Sequence, residues 1–127
     1  MPSLTKLQIR NAKKLITETV LTPEWGEGSY AIVKRLSAKE RDQFEESNVK
    51  GTGKDRRLDL SNVRARLVSL CLVDDQGNRL FTDQEAEELG EYDSLVMDRI
   101  FDAAHLLNRL GAKGMGDAEK NSASAPS

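Results

Sequence analysis

The chain has little of what enzymatic chemistry and secretion require. It carries one cysteine, Cys71, and one histidine, His105, in 127 residues. A single cysteine forms no intrachain disulfide. Its setting, Leu67-Val68-Ser69-Leu70-Cys71-Leu72-Val73, reads as a buried, inert thiol in a reducing compartment. A single histidine, expected on an exposed helix face beside Asp102, leaves no histidine triad and no multi-histidine zinc site. The N-terminus, Met1-Pro2-Ser3-Leu4-Thr5-Lys6, lacks a hydrophobic signal core. No run approaches the roughly 18 apolar residues of a membrane span. The expected location is the cytosol that made the protein. With 19 basic against 21 acidic residues the net charge is -2, so no global field attracts nucleic acid or an anionic membrane, and neither is an expected partner.

What is present suits one modest core. At 38% hydrophobic, a chain of this length buries about two thirds of the surface that its unfolded form exposes, with no room for a second core. The expected fold is α+β: one mainly helical domain over residues 1–110, with an N-terminal β-hairpin at about 16–36 packed on helices. Ser3 is the expected cap of a short first helix carrying Leu4, Leu7 and Ala12. Residues 16–22 are rich in β-branched side chains and stop at Pro23. After the turn formers of 23–28, residues 29–36 resume a β pattern, with Tyr30 and Ile32 on one face and Ala31 and Val33 on the other. Such a hairpin is marginal alone and needs helices against it.

Ser37-Ala38-Lys39-Glu40 is a capping box that starts a helix running to about Ser47. Residues 48–57 join two glycines to four basic residues without an apolar period, and read as a mobile basic loop. From 58 to 73, Leu60, Val63, Leu67, Leu70 and Cys71 follow helical spacing, so a buried helix is expected, ended by Gly77. Thr82-Asp83-Gln84-Glu85 is a second capping box behind Phe81, opening a short helix to Gly90. The last helix, 94–110, has the clearest period, in Val96, Ile100, Ala103, Leu107 and Leu110. Residues 111–127 have no apolar period and read as a flexible tail.

No motif carries chemistry. Asp74, Asp75 and Asp83 surround Gly77, but the offsets of Gln76, Asn78 and Leu80 do not fit a calcium loop. Gly51-Thr52-Gly53-Lys54-Asp55 lacks the first glycine and the Ser/Thr of a phosphate loop. The carboxylates Glu85, Glu87, Glu88 and Glu91 lie in a surface-like run with no apolar flank to raise a pKa. The expectation is a protein that is not an enzyme and uses no metal or cofactor. Residues 81–111 also fit a helix-turn-helix outline, the alternative being a small DNA-binding regulator. The second helix of that outline opens on Glu91 and Asp93 and exposes Asp98 and Asp102, charges that repel phosphate.

Two features suit binding. Trp25, the only tryptophan, sits in the hairpin turn, either as a lid on the core or as an interface anchor. Met97, Phe101 and Leu106 widen the apolar stripe of the last helix beyond one seam. Either the hairpin and the 58–73 helix cover that surplus, or it serves self-association or a helical client. Trp25, Met97, Phe101 and Leu106 are therefore the candidate partner-interaction residues.

Several blocks occur in a telling order: Pro23-Glu24-Trp25-Gly26, then Ile32 through Asp42, then Leu70-Cys71-Leu72-Val73-Asp74-Asp75-Gln76-Gly77-Asn78-Arg79-Leu80-Phe81, then Leu106-Leu107-Asn108-Arg109-Leu110 and Lys120-Asn121-Ser122. In this order the chain resembles the tail assembly chaperones of bacteriophages and prophages with long noncontractile tails, over roughly residues 20–122. The resemblance implies a non-catalytic protein that coats the tape measure protein and keeps it soluble while tail tube subunits assemble, and that stays out of the mature virion. It further implies a longer, frameshifted minority form that recruits the tail tube protein, this chain being the short form. A structural tail component is the other reading within phage biology.

Overall fold

A computed structural model describes residues 2–110, so the expected tail at 111–127 lies outside the described residues. The elements are α1 (Lys6–Asn11), β1 (Thr17–Leu21), β2 (Tyr30–Lys34), α2 (Ala38–Ser47), β3 (Val49–Lys50), β4 (Arg57–Leu58), α3 (Val63–Cys71), β5 (Leu72–Val73), α4 (Ala86–Leu89) and α5 (Ser94–Leu107). The fold is α+β, with the N-terminal hairpin the sequence predicts.

β1 and β2 pair antiparallel, with Val20 opposite Ala31 and Glu18 opposite Val33. The period of two puts Val20, Ala31 and Val33 on one face, where Val33 is wholly buried. Tyr30, Ile32 and Leu21 take the other face. The hairpin turn is closed by a 3-10 turn, Pro23–Trp25, and by a Thr22 amide bond to the Ser29 carbonyl. α3 and α5 pack on each other, and α5 crosses β1 and β2. Leu67, Val68, Cys71, Val96, Ile100 and Ala104 are buried to 1% or less and join the inner face of the sheet in one cluster. Truncating Leu67 or Ile100 to alanine costs about 2–5 kcal/mol.

Both predicted capping boxes form, Ser37 with Glu40 and Thr82 with Glu85. α5 has an N-cap outside the predicted set: the Asp93 carboxylate accepts from the amides of Leu95 and Val96, at 2.8 and 3.2 Å.

Four expectations are corrected. The first helix is capped by Thr5, not Ser3, because Gln8 stands three residues on and closes a capping box with it. The helix expected over 58–73 is only Val63–Cys71. Leu58 pairs with Val49, Asp59 bonds the Asn48 carbonyl, and its carboxylate takes the Ser61 amide. These side-chain and ribbon bonds outcompete helix at 57–61, and leave Leu58 and Leu60 exposed. The segment read as a mobile basic loop, 48–57, lies between and within the short ribbon β3–β4, which is steadied where the Arg66 guanidinium donates to the Asn48 side chain and the Asp59 carbonyl.

The fourth correction matters most. Leu72 and Val73 leave the helix and pair with Val33 and Ile32, making β5 the third strand in the order β1-β2-β5. Gly77 therefore ends no helix. It sits at φ +85° in a tight turn where the Asp74 carboxylate accepts the amides of Gln76 and Asn78, both at 2.9 Å, and Val73 faces Arg79. Arg79 then reaches back to the Ser69 carbonyl at 2.9 Å, satisfying one of the free carbonyls at the end of α3.

Candidate interaction surface

The helices α3 and α5 pack on one face of the sheet. On the open side, Leu21 and Tyr30 are 69% and 55% exposed. β5 is so short that it pairs only with Ile32 and Val33, so Tyr30 and Ala31 run on beyond it. There the surface opens into a groove of about 770 Å³, walled by Trp25, Tyr30, Ile32, Val73, Leu80 and Tyr92 and floored by Phe81 and Leu89. The charged residues on its lining are Asp74 and Asp75, with no lysine or arginine. Apolar walls, aromatic anchors and a little charge of one sign make a surface suited to binding an apolar partner.

Local contacts hold the aromatic wall in place. Trp25 meets Tyr92 edge to face, with ring centroids 6.1 Å apart and planes at 72°, a favoured geometry for such pairs. The Tyr92 hydroxyl donates to Glu88 at 2.6 Å; ionisation would break that bond and set a phenolate against the carboxylate, so the phenol is held above its usual range. On the other side of Trp25, Arg99 donates to both carboxylate oxygens of Glu24, at 2.9 and 2.7 Å, and to the Leu21 carbonyl at 3.0 Å. The Arg99 bonds, with Glu24's own backbone amide, hold the Glu24 carboxyl down at about 2. The fork ties the Pro23–Trp25 turn to α5.

The four candidate residues separate. Trp25 is 44% exposed and forms one wall of the groove, so it is an open aromatic, not a closed lid. Met97 is buried at 4% and touches a smaller cleft between α3 and α5. Phe101 is half-buried, with the Arg64 guanidinium 5.8 Å above its ring and the His105 ring 5.3 Å away. His105 thus packs on Phe101 instead of standing free beside Asp102. Leu106 is 76% exposed, and neither it nor Phe101 lines either hollow. Of the surplus on α5, Met97 is covered, Phe101 half-covered and Leu106 open, and the residues that build the groove, Tyr30, Leu80 and Tyr92, are ones the helical period of α5 could not reveal. The period of β2 sets Tyr30 with Ile32 on the face opposite Ala31 and Val33.

Other sequence-level candidates also resolve. Burial pushes the Cys71 thiol up to about 12, far from a nucleophile. The described residues include no group of three or more carboxylate, cysteine or histidine side chains placed to hold a metal ion. No helix among them is long and apolar enough to cross a membrane. In the helix-turn-helix outline, α4 is four residues long and α5 turns its apolar stripe inward.

Comparison with solved structures gives a similar fold in the bacteriophage HK97 tail assembly chaperone, at TM-score 0.52 and 21% identity, covering 74% of this chain and 87% of that one. A search of curated proteins found no match. The sequence itself matches the family model for the phage tail assembly chaperone over residues 3–121. A match that runs from the N-terminal arm past the end of α5 takes in the hairpin, the Asp74–Asn78 turn and the whole core, and places this chain in the phage tail assembly chaperone family.

Proposed function

We propose that this protein binds the tape measure protein of its phage and keeps it soluble during tail morphogenesis, without catalysing a reaction. The observation that carries this reading is the open apolar groove beside Trp25 in a chain of this family. A tape measure protein is long, helical and apolar along one stripe, and such a stripe needs an apolar groove with aromatic anchors to shield it from its own kind. Binding takes place in the host cytoplasm, and the chaperone is absent from the mature virion. A longer form made by frameshifting near the 3′ end brings the tail tube protein to the same client.

Coexpression with the tape measure protein encoded nearby tests this. The soluble fraction of the client should rise with this chain, and should fall back with Trp25→Ala and Tyr92→Ala together. A client equally soluble with and without the chain would remove the reading. The regulator alternative is disfavoured by the acidic run from Asp83 to Asp98. Retention on DNA at physiological salt would revive it. Finding the chain in purified virions would instead make it a tail component.

A further inference from the structure

Charge is spread unevenly over a chain whose net charge is only -2. Where the link from α1 to β1 passes the start of α2, a second hollow of about 820 Å³ opens, lined by Lys13, Lys14, Lys34, Arg35 and Lys39 and by a single carboxylate, Glu40. Its apolar part comes from Leu15, Ile16 and Leu36. It shares no lining residue with the groove beside Trp25, so the two surfaces are separate.

Glu40 does not neutralise this cluster. One of its carboxylate oxygens accepts from Lys34 Nζ at 2.7 Å and the other from the Ser37 amide at 2.9 Å, and the ion pair is largely covered, with side-chain exposures of 12% and 25%. Lys13, Lys14, Arg35 and Lys39 stay exposed, and among the described residues none of the four pairs with a carboxylate. Arg35 spends only its Nε, on the Leu107 carbonyl at 3.2 Å. The first turn of α2, a helix of ten residues, adds its positive end. A cleft lined by one sign of charge focuses its field and draws in the opposite charge.

The rest of the lining separates the two kinds of polyanion. Single-stranded nucleic acid is held by aromatic side chains on which its bases stack, and this cleft has none. A phosphate backbone also leaves Leu15, Ile16 and Leu36 uncovered. An acidic peptide with apolar residues between its carboxylates suits both parts. Its carboxylates pair with the lysines and, bidentately, with the free end of the Arg35 guanidinium, and its apolar side chains cover the leucines and the isoleucine.

We propose that this cleft is a second docking site, which takes an acidic protein segment carrying apolar side chains between its carboxylates. Because the groove is elsewhere, one copy holds its client there and an acidic partner here. The charges steer the encounter and weaken with salt, and the apolar contacts slow release.

The test uses the full chain and a fluorescein-labelled peptide of repeated Glu-Glu-Leu, read by anisotropy, so its result does not depend on the client in the groove. The peptide should bind, less tightly as salt rises, and a Gln-Gln-Leu repeat should not. Lys13→Glu with Lys14→Glu and Lys39→Glu should bind at least about tenfold more weakly, or about 1.4 kcal/mol. Lys50→Glu with Lys54→Glu and Arg56→Glu makes the same change of net charge on the β3–β4 ribbon and should bind like the wild type. Trp25→Ala with Tyr92→Ala should do the same. All six basic positions are exposed, and an unchanged melting curve confirms that these variants fold. A peptide that does not bind overturns the proposal, as does a Gln-Gln-Leu repeat that binds equally well. So does a cleft variant without effect, or a ribbon variant as weak as the cleft variant, which would mean net charge alone. Loss of the peptide with the Trp25 and Tyr92 changes would place it in the groove instead. An oligoadenylate that binds more tightly than the peptide would make the cleft a nucleic-acid site and overturn the proposal too.

Discussion

The Asn108 carboxamide accepts the Leu36 amide at 2.7 Å across 72 residues of sequence. Its nitrogen donates to the Ala104 carbonyl at 2.9 Å and lies 3.7 Å from the Cys71 sulfur. Asn108 is 6% exposed and is the point where the end of α5, the end of α3 and the link between β2 and α2 meet. Asn108→Ala leaves the part-buried Leu36 amide without its partner, which costs about 1–3 kcal/mol. A domain of this size should then melt about 4–8 °C lower per kcal/mol. Thermal denaturation by circular dichroism measures it, and an unchanged midpoint would show that water replaces the carboxamide.

Arg99 and Glu24 make Trp25 a reporter of pH. The Glu24 carboxyl lies at about 2 in the fold, against 4.5 for the free group. A depressed folded value stabilises the contact above about pH 4.5 and loses it as pH falls towards 2. Trp25, the sole tryptophan, should become more open to acrylamide quenching over that window. Arg99→Ala should give the same increase at neutral pH and abolish the acid step.

Cys71 should be inert until the protein unfolds. A thiol at about 12 has about one part in ten thousand as thiolate at pH 8, against about a tenth for a free thiol at 9.0. Ellman's reagent should find no thiol in the native protein and one per chain in denaturant. Rapid native labelling would mean that the α3–α5 seam opens.

Gly77 holds its turn at φ +85°, a conformation that side chains rarely adopt. A Cβ there would also meet the Leu15 side chain at 2.6 Å, though that exposed leucine can turn aside. Gly77→Ala should therefore cost about 1–2 kcal/mol through the backbone, read by urea denaturation. Leu15→Ala in the same background should not restore the loss; if it does, the contact and not the backbone sets the cost.

Much of the local structure was legible. Ser37 with Glu40 and Thr82 with Glu85 announce helices because a capping box is a contact between near neighbours in sequence, and the period of two sets Tyr30 and Ile32 on one face of β2 and Ala31 and Val33 on the other. Thr5 with Gln8 carries the same signal. The groove was not legible, since its walls come from the hairpin turn, the Asp74–Asn78 turn and the start of α5, which only folding brings together. Trp25 alone among the four candidate residues reaches it.

The sequence by itself determined the family, the α+β class, the inert thiol and the faces of β2 and α5, because each depends on residue identity or on a period of one helix turn or two strand residues. The tertiary structure alone decided that Leu72 and Val73 are strand. Their helical spacing continues the stripe of α3, but the free edge of β2 at Ile32 and Val33 offers backbone hydrogen bonds that a helix end, with its unpaired carbonyls, cannot supply. That choice turns the chain at Gly77 and places Leu80, Phe81 and Tyr92 opposite Trp25.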